Sequence, residues 1–129
     1  MSAADITKYD LHLSESYRNA TDKERAAYCN GCGARGGMPV PKTFWGLSMV
    51  DACNVHDWDY QHGATLADKQ TADRFMLFNM LIIIEAQTGW YQTALKLMRR
   101  RRAMKYYEAV TMLGSKAFWA NKVKPEKLT

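Results

Sequence analysis

His56, Asp57 and Tyr60 fall within one ten-residue stretch, Asp51-Ala52-Cys53-Asn54-Val55-His56-Asp57-Trp58-Asp59-Tyr60, that reads as helix. Positions i and i+4 of a helix share a face, so His56 and Tyr60 lie one above the other while Asp57 turns about 100° away. An imidazole works as a general base when a carboxylate holds one ring nitrogen, because that fixes the tautomer and leaves the other nitrogen free to take a proton from water. Asp73 is placed to supply the carboxylate. The link from Gly63 to Thr65 is tight, so the His56 helix and its successor form an antiparallel pair. His56 stands eight residues before Ala64, the middle of that link, and Asp73 nine after it; their heights along the pair differ by roughly 1.5 Å. Tyr60 can donate its hydroxyl to the same carboxylate.

Upstream, Gly31 and Gly33 flank Cys32 in a stretch from Cys29 to Pro41 too rich in Gly and Pro for helix. Residues without Cβ let successive carbonyls turn toward one point. Calcium takes such oxygens, commonly six to eight of them. Two oxygens from Asp57, carbonyls of the loop and water would complete its shell, and the ion would polarise an ester carbonyl and stabilise its oxyanion.

Gly31-Cys32-Gly33 followed by the segment from Asp51 to Tyr60 resembles the secreted phospholipase A2 superfamily, whose hallmark is a GxG calcium loop before a helical DxCCxxHDxCY motif. Ala72-Asp73-Arg74 resembles that superfamily's second-helix CDR segment, and the likeness spans residues 28–80. The few cysteines are more similar to its bacterial and viral branches. The resemblance implies an all-α, mainly helical fold with a central antiparallel helix pair and a glycine-rich calcium loop. It implies calcium-dependent hydrolysis of the sn-2 acyl ester of glycerophospholipids, with His56 as base and Asp73 and Tyr60 as its support. Ca2+ would sit on Asp57 and the carbonyls of Cys29, Gly31 and Gly33. Three departures stand out: Asp51 is one residue closer to the histidine, the second cysteine of the CC pair is absent, and Asp59 replaces the cysteine before the tyrosine. A disulfide from Cys53 to the loop would match the superfamily's tether and leave one free thiol, whereas a reduced chain would have none.

Two other readings compete. Cys29-x-x-Cys32 with Cys53-x-x-His56 is an acceptable ligand set for structural zinc, which would make the chain a binding module. A phospholipase fold kept as a catalytically silent structural part, for example of a virus or phage particle, is the other.

The elements that must position these residues follow from the rest of the chain. With 129 residues, 47% apolar and 24% charged, the composition is that of one globular domain over residues 1–129, with a core region at 21–88 and a basic helical region at 90–121. Thr21 with Glu24 has capping-box spacing for a helix over 22–28, preceded by a helical segment over 6–18. Ser48 with Asp51 caps a helix running to His62, where Gly63 ends it. Thr65 with Asp68 starts the next, which carries Ala67, Phe75, Leu77, Phe78, Leu81 and Ile84, reads as a buried helix from Phe75 to Ile84, and lasts to Gln87. A further helix covers 90–113, a short piece includes Phe118 and Trp119, and no strand is expected.

The apolar run from Phe75 to Ile84 is shorter than the roughly 20 residues that cross a bilayer. Residues 1–10 lack the basic and apolar parts of a secretory signal, so a cytoplasmic, virion-associated or otherwise exported chain is expected. From Lys96 onward there are 10 basic and 2 acidic residues, a balance of +8, so the total of +5 leaves −3 for the rest. Such a basic face suits an anionic phospholipid bilayer, with Trp90 or Trp119 exposed beside Lys96, Lys105 and Lys116. A nucleic-acid partner lacks any motif, and assembly with other proteins is compatible. Individually, Arg99 to Arg102 read as a solvated face, because four consecutive residues cannot point one way. Phe44 and Trp45 suit either an apolar rim for an entering lipid or the core. His12 and His62 read as surface or structural, and the methionines as core packing.

Overall fold

The computed structural model describes residue 7 and residues 9–29 and 43–119. Six helices and one two-stranded hairpin are found there: α1 (Glu15–Asn19), α2 (Asp22–Tyr28), β1 (Thr43–Phe44), β2 (Leu47–Ser48), α3 (Val50–His62), α4 (Leu66–Gln87), α5 (Thr93–Leu113) and α6 (Ser115–Trp119). The described chain is therefore mainly helical.

Helix α4 is the spine, packed along α3 on one side and α5 on the other. It starts at a capping box: the Thr65 hydroxyl accepts from Asp68 N at 3.1 Å, and the Asp68 carboxylate accepts from the amides of Thr65 and Ala64. Those bonds satisfy amides that the first turn leaves without helical partners and fold the short link back, so α3 and α4 run antiparallel. Met76, Met80, Ile83 and Ile84 recur at helical spacing and are fully buried; each such side chain contributes about 1.5–3 kcal/mol. Glu85 meets Lys96 and Arg100 at one end of α4, while Lys69 meets Val110 at the other. Helix α5 is therefore antiparallel to α4 as well. No helix among the described residues is long and apolar enough to cross a membrane.

The continuous helical segment expected over 6–18 does not form; helix starts again only at Glu15. Leu11 and Leu13 are buried and His12 between them is exposed, an alternation that suits extended chain. Asn79, buried in α4, accepts from His12 N at 2.6 Å and donates to His12 O at 3.0 Å, so its amide takes the backbone groups a helix would have used. Arg25 then closes α1, donating to the carbonyls of Tyr17 and Arg18 at 2.8 and 3.1 Å. The capping box of Thr21 and Glu24 stands where expected.

Two strands appear where none was expected. Thr43 pairs with Ser48 and Phe44 with Leu47, closed by Trp45 and Gly46 at φ 47° and 81°. Positive φ at both central residues is the two-residue hairpin turn whose twist matches its strands. Holding a tryptophan there costs about 1 kcal/mol. Ser48 is thus a strand residue; the N-cap of α3 is Met49, which makes no side-chain cap bond. Helix α5 begins at Thr93 instead of residue 90, because Gln92 Oε1 accepts from Gly89 N at 2.8 Å and holds residues 89–92 as a turn. Phe78, expected inside, is exposed, and Trp119, expected outside, is buried against Phe118.

Candidate active site

The face of α3 turned toward α4 carries His56 and Tyr60, one turn apart, with their rings 4.0 Å between centroids. Asp73 of α4 stands opposite, 1% exposed. Its Oδ1 takes two donors, His56 Nε2 at 2.8 Å and the Tyr60 hydroxyl at 2.6 Å. Its Oδ2 takes Lys69 Nζ at 2.8 Å. Burial pushes the Asp73 carboxyl up, but the hydrogen bonds from His56, Lys69 and Tyr60 together outweigh it and hold the group below the usual carboxylate range. The Tyr60 phenol is pushed far up, first by burial and then by the Asp73 charge and hydrogen bond. It stays a donor.

An ionised carboxylate can only accept, so the proton between it and the imidazole belongs to His56 Nε2. The lone pair of the neutral ring is then on Nδ1. His56 is 8% exposed, and because no buried side-chain nitrogen or oxygen among the described residues lacks a hydrogen-bond partner, its second nitrogen keeps contact with solvent. Such a carboxylate–imidazole pair can withdraw a proton from water and keep the resulting imidazolium in place.

Asp57, half-buried, turns to the other side of α3. Its charge adds to burial in raising two neighbours: the Cys29 thiol, pushed up to about 11, and the Tyr106 phenol of α5. Asp57 therefore stands beside the C-cap of α2, where the glycine loop begins. Cys29 Sγ donates to Asn54 O at 3.2 Å and pins that point to α3. Among the described residues no group of three or more His, Cys, Asp or Glu side chains could hold a metal ion. A calcium site built on Asp57 would have to draw its other oxygens from backbone carbonyls and water, a donor set that calcium accepts. Gly31 and Gly33, the other expected ligands, and Cys32 lie outside the described residues.

Cys53 is disulfide-bonded and Cys29 is a free thiol. The disulfide removes Cys53 from the four-ligand zinc set, and His56 Nε2 is engaged by Asp73. Asp59, at the motif's cysteine position, lines a separate cleft of about 250 Å³ with Ser14, Ser16, His62 and Asp68; burial pushes its carboxyl up to about 7 against a lowering hydrogen bond from Ser14.

Three site residues drawn from the sequence, His56, Tyr60 and Asp73, thus meet at one carboxylate. Lys69 was missed. It is 3% exposed, and its Nζ also donates to Val110 O at 3.1 Å. The signal was available, since Lys69 and Asp73 are i and i+4 on one helix. Gly114 was missed too: a Cβ there would stand 2.6 Å from the Tyr60 hydroxyl and 2.4 Å from Val110 O.

The remaining aromatic and basic candidates divide. Phe44 is wholly buried against Tyr106, whereas Trp45 is 46% exposed under the Arg102 guanidinium, which lies 4.8 Å from its ring centre. Arg99 is not solvated as expected; it is buried and bonded to Phe44 O, Trp45 O and Thr88 Oγ1. His62 Nδ1 donates to Trp58 O at 2.9 Å, and the His12 ring stacks on Phe75.

No family model matches the chain, and neither a curated protein nor a solved structure does.

Proposed function

We propose that this chain is a calcium-dependent phospholipase A2-type esterase that cleaves the sn-2 acyl ester of glycerophospholipids. The observation that carries the reading is Asp73 Oδ1 accepting at once from His56 Nε2 and the Tyr60 hydroxyl across an antiparallel helix pair, with Asp57 next in sequence to the histidine. A phospholipase A2-like fold is part of the same reading. It rests on that helix pair together with the Gly31-Cys32-Gly33 and His56-Asp57 motifs.

His56 Nδ1 takes a proton from water as the water oxygen bonds to the ester carbonyl carbon. Asp73, held by Tyr60 and Lys69, fixes the imidazolium while the tetrahedral intermediate exists. The bond to the glycerol oxygen then breaks, and the imidazolium returns its proton to that oxygen, releasing a free acid and a lysophospholipid. No acyl-enzyme forms. Calcium, bound by Asp57 with the carbonyls of Cys29, Gly31 and Gly33, supplies positive charge for the carbonyl oxygen when present.

The test is fatty-acid release from mixed phosphatidylglycerol and phosphatidylcholine vesicles, with calcium and then with EGTA, for the wild type and His56→Gln. Calcium-dependent release that disappears in the variant is the expected result. Release unchanged by the substitution, or none from a folded wild type, overturns the reading.

A further inference from the structure

The Arg99 guanidinium joins two separate corners of the molecule. Its Nε and Nη2 donate to Phe44 O and Trp45 O at 3.0 and 2.7 Å, and its Nη1 donates to Thr88 Oγ1 at 2.9 Å. The hairpin tip is thereby fixed beside the connection between α4 and α5, where Trp90 and Tyr91 sit. Those two are 87% and 73% exposed. A buried cation spent on holding a positive-φ tryptophan at the surface marks the corner as built, since backbone in that region persists only where its surroundings enforce it.

Around these rings the charge is one-sided. Helix α5 carries six basic residues and one acidic. Lys96 and Arg100 share Glu85, while Arg101 and Arg102 have no carboxylate partner among the described residues. Between the cations the outer face of α5 exposes Leu97 and Met98 near its start and Met104 further on.

We propose that Trp45, Trp90, Tyr91, Leu97, Arg101 and Arg102 form a docking face for an anionic phospholipid surface. Tryptophan and tyrosine settle where an apolar body and a polar edge are both accommodated, the boundary between headgroups and acyl chains. Lys and Arg nearby are drawn to anionic headgroups. A single-stranded nucleic acid would use the rings and the cations, but it offers nothing to exposed Leu97 and Met98, which a bilayer receives. The face also lies suitably for the esterase: Phe44 packs on Tyr106, which touches Cys53 one turn before Asp57, and Arg99 and Tyr106 are about 10 Å apart along α5. Its purpose rests on the esterase reading, but its existence does not.

The experiment uses the full-length His56→Gln variant in EGTA, so that neither turnover nor calcium contributes. Binding to phosphatidylglycerol and to phosphatidylcholine vesicles is measured by sedimentation and by tryptophan fluorescence, which reports on exposed Trp45 and Trp90 against buried Trp58 and Trp119. The expected result is preference for the anionic vesicles with a blue shift. Trp90→Ala with Tyr91→Ala should weaken binding by about tenfold. Arg101→Glu should weaken it by about fivefold, less at high salt. Equal binding to both vesicles, no loss in either variant while both stay folded, or displacement of vesicles by a single-stranded oligonucleotide overturns the proposal. Vesicle binding without any wild-type esterase activity would leave this face standing and remove only the catalytic reading.

Discussion

Lys69 Nζ lies 2.8 Å from Asp73 Oδ2, and both side chains are sealed from solvent one turn apart on α4. The carboxylate that receives His56 and Tyr60 on one oxygen is therefore neutralised and anchored through the other. Because the same ammonium reaches Val110 O, the pair also ties the His56 network to the last turns of α5.

Removing one member of such a buried pair strands the other. Lys69→Met is expected to destabilise the fold by about 3 kcal/mol. Adding Asp73→Asn to that variant should cost much less than Asp73→Asn alone, because the two residues are coupled. Urea unfolding of the four proteins measures this; strictly additive losses would refute the coupling.

Acid should reveal the same carboxylate. The folded-state pKa of Asp73 is depressed below its ordinary 3.8, so its ionised form stabilises the fold fully above about pH 4. That contribution is lost as the pH falls through the folded value. The stability gap between wild type and Asp73→Asn should be widest near neutrality and narrow below pH 4, followed by thermal unfolding across a pH series. A gap that widens in acid would reverse the assignment.

Gly114 tests how closely α5 and α6 close over the site. Its φ is an ordinary −79°, so alanine meets no backbone strain there; it meets the Tyr60 hydroxyl and Val110 O instead. Gly114→Ala should cost about 1–3 kcal/mol by overpacking and, on the proposed esterase reading, lower ester hydrolysis by moving Tyr60 off Asp73. Gly114→Ala combined with Tyr60→Phe, which removes the hydroxyl, should recover part of the stability.

Arg99 is expected to be irreplaceable by lysine. One ammonium cannot reproduce the fork that spans Phe44 O, Trp45 O and Thr88 Oγ1. Arg99→Lys should cost about 2 kcal/mol and speed proteolysis at the Trp45–Gly46 turn, whereas Arg101→Lys, at an exposed position, should change neither.

Much of the local structure was legible from the chain. The boxes at Thr21 and Thr65, the stop at Gly63 and the i to i+4 relation of His56 and Tyr60 are short-range patterns, set by backbone amides and by the helical repeat. The meeting of Asp73 with His56 could also be counted out, since a three-residue link leaves two helices almost no freedom of register. What sequence reading misjudged was decided by distant partners. Asn79 takes the backbone of His12 and keeps that segment extended; nothing between residues 6 and 18 announces it. Arg99 looks like its three basic neighbours, and only its position against two carbonyls and a hydroxyl makes it a buried clamp. Lys69 is the same case at the site itself. Its spacing to Asp73 is written in the sequence, but its burial, and with it the weight of the charge, exists only once α5 closes over α4.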